Sequence, residues 1–211
     1  MPLFISFEGP DGSGKSTQAH LLARVLQSRG LRVVETREPG GTPLGERVRD
    51  VALNPHSPPA TPLALAFLMS AARAQLVAEV IAPALADGQV VISDRYADST
   101  AAYQGFGLGV DLLDIRELTR IATGGISPDV IVYVDIPVEL GLERVAARGF
   151  ANRLDEQTLA FHRRVRDGYQ TLARQEPRRW LVVDGAANEL TVHQRVMHSL
   201  EPFLNEIMDP V

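Results

Sequence analysis

Short, nearly unbroken apolar runs alternate with stretches of helical spacing along the whole chain. Residues 3–8 (LFISFE), 31–36 (LRVVET), 89–94 (QVVISD), 129–135 (DVIVYVD) and 180–184 (WLVVD) are β-prone and short, which predicts five strands. Between them, Leu21, Leu22, Val25 and Leu26 follow a helical period from Lys15 to Arg29, where Gly30 stops it. Residues 54–62 hold four prolines and read as a surface loop. Thr61 and Pro62 then fit an N-cap and first-turn proline, opening a long apolar helix to about Ala86. Further helices are predicted near 97–104, 111–123, 137–147, 155–175 and 189–206. Continuous apolar strands separated by helices are the pattern of a parallel α/β sheet covered on both faces.

The chain has 211 residues, 45% hydrophobic and 22% charged, which is globular composition and is read as one domain over 1–211. There is no Cys, so disulfides, zinc–thiolate centres and iron–sulfur clusters are excluded, and a cytoplasmic setting is favoured. No apolar run is read as spanning a membrane and no signal peptide is read at the start. A net charge of −5 argues against a broad nucleic-acid surface. Lys15 is the only Lys among the 21 Lys and Arg residues.

That Lys lies in Gly9-Pro10-Asp11-Gly12-Ser13-Gly14-Lys15-Ser16, which matches G-x-x-x-x-G-K-[ST] between a strand and a helix. Such a loop turns backbone N–H groups towards phosphate oxygens, and the helix N-terminus adds positive potential. Lys15 would reach the β- and γ-phosphates, and the Ser16 hydroxyl would hold Mg2+. Asp94 ends an apolar strand and Arg95 follows it, which suits a metal-holding carboxylate beside a phosphate-binding guanidinium. Asp135 ends another strand and is the rival for the metal.

Other candidates are weaker on their own. Arg73 shares a helix face with Met69, Leu76 and Val77, so it either binds a ligand or snorkels at the helix edge. Arg37-Glu38-Pro39-Gly40-Gly41 suits a ligand loop and equally a plain turn. Arg144, Arg148 and Arg153 form a basic segment that could close over a nucleotide or be a solvated surface. GFGLG (105–109) reads as a flexible loop, and Arg163, Arg164 and Arg166 as an exposed helix face. The five His residues show no metal-ligand spacing.

Together the segments FEGPDGSGKST, TREPGGT (36–42), AARAQL (71–76), SDRYADSTAAYQG (93–105), PDVIVYVDIP (128–137) and RGFANRLDEQ (148–157) resemble bacterial thymidylate kinases over nearly the whole chain. The resemblance implies a P-loop NTPase fold, three layers with a five-stranded parallel sheet, and a short lid at about 148–157. It implies a transferase of nucleotide biosynthesis that moves the ATP γ-phosphoryl group to dTMP with Mg2+, in a cytoplasmic homodimer. By position, Gly9 to Thr17 would bind ATP, with Ser16 and Asp94 at the metal. Asp11 would sit near the deoxyribose 3′-hydroxyl, Arg73 on the thymine edge and Arg95 on the acceptor phosphate. Thr100 and Gln104 would lie near the base and Tyr103 against the sugar, where a 2′-hydroxyl would not fit. Arg37 and Glu38 would line the phosphate region. No Arg lies between Gly9 and Gly14, so the catalytic Arg would come from the lid, with Arg153 preferred to Arg148 and Arg144. Met69 stands where the family usually has a Phe stacked on thymine.

A GTPase switch would need an Asn-Lys-x-Asp motif, which a chain with its only Lys at 15 lacks. A nucleic-acid motor would need a basic strand-binding surface.

Overall fold

The computed structural model describes residues 2–149 and 152–208. Phe150 and Ala151, inside the segment assigned to the lid, fall outside these residues. Five strands form the sheet: β1 (Leu3–Glu8), β2 (Val33–Arg37), β3 (Val90–Asp94), β4 (Val130–Asp135) and β5 (Trp180–Asp184). Their order is β2-β3-β1-β4-β5 and every pairing is parallel. The helices are α1 (Lys15–Ser28), α2 (Pro43–Leu53), α3 (Pro62–Leu76), α4 (Ala82–Ala86), α5 (Ala97–Thr100), α6 (Leu112–Thr123), α7 (Val138–Ala147), α8 (Leu159–Gln175) and α9 (Glu189–Met208).

Hydrophobic burial on both faces of the sheet makes three layers. On one face, Leu22 and Leu26 of α1 and Val196 and Leu200 of α9 pack on Ile5, Phe7, Ile92 and Val132. On the other, Phe161, Val165 and Tyr169 of α8 pack on Ile131 and Tyr133, while Leu76 and Ile81 pack on Phe4 and Val91. Chain order jumps at the centre of the sheet, where β1 lies between β3 and β4. The register sets Asp94 beside Phe7 on one side and Arg37 on the other. The carboxyl ends of three strands therefore open on one crevice, the usual ligand position in this architecture.

Four features depart from the sequence reading. The first is α2, which was not anticipated. It starts as α3 does: Thr42 accepts from Gly45 N–H at 3.0 Å, and Pro43 follows. Second, the long helix from residue 62 to residue 86 is interrupted by a π-helical turn, Val77–Ile81. Pro83 has no N–H to offer the Glu79 carbonyl and its ring crowds it, and the widened turn takes up the misfit. Third, that 25-residue span is long and apolar enough to cross a membrane, contrary to the sequence reading. Half of its most apolar window is buried in the fold, and it carries the buried Arg73. Fourth, GFGLG is no flexible loop at its start. Gly105–Gly107 ends a second π-helical segment, Ala101–Gly107. A Cβ on Gly107 would come within 2.6 Å of Phe161, and its carbonyl accepts from Arg164.

Candidate active site

The phosphate loop leaves β1 and enters α1 through Gly14, whose φ of 88° is left-handed. No side chain caps that helix, so its first N–H groups stay available for an anion. Gly12 (φ 76°) is required by close approach as well: a Cβ there would lie 2.2 Å from the Gly141 carbonyl of α7. Lys15 is buried, with Nζ 3.4 Å from the Pro10 carbonyl and 3.9 Å from Asp11. Burial and the Arg95 guanidinium hold its pKa below the usual lysine range, only partly offset by Asp11, Asp94 and Glu8.

The Ser16 hydroxyl donates to Asp94 Oδ2, and Asp94 Oδ1 is buried with no partner among the described residues. One hydroxyl and one carboxylate with a spare oxygen, beside a phosphate loop, are a donor set that fits a hard divalent cation retaining water ligands. No cluster of three or more His, Asp or Glu suited to a metal occurs among the described residues. Asp135, the rival, is already engaged: Arg166 holds both its oxygens at 2.8 and 2.9 Å, and Tyr133 donates to it at 2.7 Å. Arg166 is accordingly an ion-pair partner and not merely an exposed cation.

Arg95 takes φ 73°, the only positive φ outside glycine among the described residues. Its Nη1 donates to the Gly9 carbonyl, Ser99 and Tyr169 at 3.1, 3.0 and 2.9 Å. Its Nη2 donates to Asp11 at 2.7 Å and to the Tyr103 hydroxyl at 2.9 Å. Tyr103 in turn donates to the other Asp11 oxygen. Burial pushes the Asp11 carboxyl up, but Arg95, Lys15 and the Tyr103 hydrogen bond outweigh it and hold the group well below the usual carboxylate range.

Beyond Arg95 lies a pocket of about 80 Å3 lined by Met69, Arg73, Thr100, Tyr103, Gln104 and Leu53 among others. Arg73 is buried and does not snorkel. It pairs with Glu38 (Nη2 to Oε2 2.7 Å) and donates to Thr100 at 2.9 Å and the Tyr96 carbonyl at 3.3 Å. Burial alone would lower its pKa; Glu38 outweighs that and raises it. Its Nη1 has no hydrogen-bond partner among the described residues, and neither has Gln104 Nε2. Glu38 is thus the counter-ion of Arg73, set where both cavities meet. Arg37 points to the wider trough and is held by Glu46 at 3.0 Å.

Lys15, Ser16, Arg37, Asp94, Arg95 and Arg148 are among the residues that line that trough, of about 1080 Å3. Arg153 does not line it. Its guanidinium donates to the carbonyls of Asn54, Ser57 and Pro58, and its N–H to that of Leu53. Arg148 meets Asp155 at 3.2 Å. Arg144 lies on the far side of the phosphate loop, donating to the Gly12 and Gly185 carbonyls. Sequence reasoning missed Arg49, which lines both cavities and donates to the Pro39 carbonyl at 2.9 Å. The repeated Thr-Pro start was the signal that could have found its helix.

A P-loop fold with a trough carrying Lys and Arg side chains and a second, adjoining pocket is that of a phosphotransferase with separate donor and acceptor sites. The profile of the family described as thymidylate kinase matches residues 7–196. A thymidylate kinase of Roseiflexus castenholzii is 46% identical over 220 residues, covering 98% of this chain and 96% of the relative. One of Deinococcus radiodurans is 51% identical over 187 residues, covering 89% and 90%. The crystal structure of thymidylate kinase from Ehrlichia chaffeensis superposes with a TM-score of 0.77 at 34% identity, covering 94% of this chain and 98% of that one. The chain belongs to the thymidylate kinase family.

The Asp11 environment sets a pH dependence. Its folded pKa lies below the ordinary 3.8, so the folded state binds fewer protons than the unfolded one. The stability this contributes is complete above that value and is lost as pH falls through the folded pKa. Thermal unfolding followed from neutral pH down to about pH 2.5 should show a steeper fall for wild type than for Asp11→Asn below about pH 4.

Proposed function

We propose that the protein transfers the γ-phosphoryl group of ATP to dTMP, giving dTDP and ADP. One observation carries the assignment of the acceptor: two buried donors, Arg73 Nη1 and Gln104 Nε2, on residues that line the pocket next to the phosphate trough, lack partners among the described residues. Buried donors without acceptors are costly, so a ligand with carbonyl oxygens on a flat ring answers both. A thymine edge offers them. Met69 and Leu53 supply apolar surface for the ring and its methyl group. Tyr103 lies against the sugar, and its hydroxyl is tied to Asp11 and Arg95, so the ring cannot give way to a 2′-hydroxyl.

The donor phosphates would lie on the phosphate loop, with Lys15 at the transferred group. Ser16 and Asp94 would hold Mg2+, which when bound neutralises charge on the β- and γ-phosphates. Arg95 and Arg49 face the trough where the acceptor phosphate enters, with Asp11 fixing Arg95 and reaching the 3′-hydroxyl. The chemistry is positioning and charge neutralisation, carried by groups already held in place. Such transfer belongs to nucleotide synthesis in the cytoplasm, where ATP and dTMP occur together.

Assay of ADP release with a panel of monophosphates tests the reading. dTMP should be the best acceptor, dUMP about 10–200-fold poorer for lack of one methyl group, and ribonucleotides poor. Equal turnover of AMP and dTMP would overturn it.

The lid would supply a further cation to the transferring group. Arg148 already borders the trough, and Arg153 reaches it only by leaving the carbonyls of residues 54–58. An arginine finger contributes about 10³–10⁵-fold, so Arg148→Ala/Arg153→Ala should lose at least about 10²-fold in kcat with dTMP affinity near wild type. The single variants apportion the loss between the two. Wild-type kcat in the double variant would move the role to Arg37, Arg49 or Arg95.

A homodimer is supported by the surface. Leu63 and Phe67 of α3 stay 45% and 55% exposed, and Leu113 and Ile121 of the adjoining α6 stay 71% and 64% exposed. Leu63, Phe67, Ala71 and Ala74 form one apolar stripe on α3, the kind of surface a second copy covers. Light scattering should give a dimer for wild type and a shift to monomer for Phe67→Asp. An unchanged mass in that variant would exclude this stripe.

A further inference from the structure

Glu8, the last residue of β1, is wholly buried, and nothing in the transfer chemistry above requires it. Three donors converge on its carboxylate. Tyr96 N–H reaches Oε1 at 2.7 Å, and the hydroxyls of Ser99 and Tyr169 reach Oε2 at 2.6 and 3.1 Å. The same two hydroxyls accept from Arg95 Nη1 at 3.0 and 2.9 Å. A hydroxyl has one proton to give. Given to Glu8, it leaves lone pairs facing Arg95. With a donor at Oε2, the two hydroxyls, 2.8 Å apart, can share one proton between themselves, but the other is left to turn towards Arg95, setting donor against donor. Once Glu8 is ionised, above about pH 8, the charge at the buried end sets the direction of the whole relay.

Packing alone does not explain an acid at this position. Burial and the Asp98 carboxylate push the Glu8 pKa up to about 8, against the pull of Ser99, Arg95 and Tyr96. Anchoring the start of α5 through Tyr96 N–H occupies only Oε1. Oε2 serves the two hydroxyls, and both lead to the guanidinium that Asp11 and Tyr103 hold from its other end.

We propose that Glu8 is a positioning residue for the phosphoryl acceptor: through Ser99 and Tyr169 it orients the Arg95 guanidinium, touching neither nucleotide itself. The proposal rests on the reading of Arg95 as a contact of the acceptor phosphate. Misplacing that guanidinium weakens the hold on one substrate and leaves the donor cradle, built on Lys15 and the N-terminus of α1, as it was.

The test is steady-state kinetics of the full chain at about pH 9, where Glu8 is ionised, varying dTMP and ATP separately. Glu8→Gln keeps the shape and the acceptor for Tyr96, but sets an amide donor against one hydroxyl. It should raise KM for dTMP about tenfold or more, with KM for ATP within about twofold of wild type. The double variant Ser99→Ala/Tyr169→Phe removes the relay and keeps Glu8, and it should show the same selective rise. Adding Glu8→Gln to that pair should then change little more, because both lesions cut one path. A multiplicative effect in the triple variant, or equal rises in both KM values, reduces Glu8 to a structural role and overturns the proposal. If Glu8→Gln does not fold, the double variant alone decides, and an unchanged KM for dTMP there also overturns it. Failure of wild type to phosphorylate dTMP would instead sink the functional reading on which this rests.

Discussion

The crevice is organised around one buried guanidinium. Arg95 sits in a left-handed backbone conformation that a long side chain adopts only under constraint. Its N–H donates to the Phe7 carbonyl of β1, while its side chain meets the Gly9 carbonyl and Asp11 of the phosphate loop, Ser99 of α5, Tyr103 of the π-helical segment and Tyr169 of α8. Residues 7–11, residues 99–103 and Tyr169 are thus tied together by one residue. Backbone strain of about 1–3 kcal/mol is tolerated where the surroundings over-determine the conformation, as they do here. The result is a cation whose direction is set before any anion arrives.

Arg73 shows the complementary case. Two of its nitrogens are fully engaged by Glu38, Thr100 and Tyr96, and the third is left without a partner. The engaged edge fixes the plane of the group, and the free edge offers a donor at a set angle. Arg95 is gripped through both terminal nitrogens, Arg73 through Nε and Nη2. On the proposed function the first meets a phosphate and the second a base edge.

Much of this was legible in the sequence, for identifiable reasons. Buried parallel strands are continuous apolar runs, so all five were found within two residues of their ends. The phosphate loop is legible because its chemistry needs glycine, lysine and serine at fixed spacing. The helix over 43–53 was missed because its face is mixed and only Ala52 and Gly45 are buried, although Thr42-Pro43 marked its start. With it went Arg49. The π-helical turns have no signature in hydrophobic period, and GFGLG read as a loop because its glycines serve close packing against α6 and α8. The preference for Asp94 over Asp135 rests on the neighbouring Arg95; contacts of Asp135 with Arg166 and Tyr133 are tertiary and not legible in the sequence. Arg153 was assigned by position alone, and its place on the carbonyls of the Pro-rich loop depends on tertiary contacts that spacing does not carry.

The charge of −5 and a crevice rich in Lys and Arg are two sides of one constraint. Two nucleotides bring several negative charges to adjacent sites, and the cations needed to receive them would repel one another in an empty crevice. Here the inner cations have carboxylates beside them: Asp11 for Lys15 and Arg95, Glu38 for Arg73, Glu46 for Arg37. These acids are also hydrogen-bonded, so they fix geometry while they offset charge. Asp94 keeps one oxygen without a partner and thereby has room for a cation of its own. Partial neutralisation limits the repulsion that the folded chain must bear. A crevice of unpaired arginines would bind anions more strongly, but it would hold none of them in a defined line.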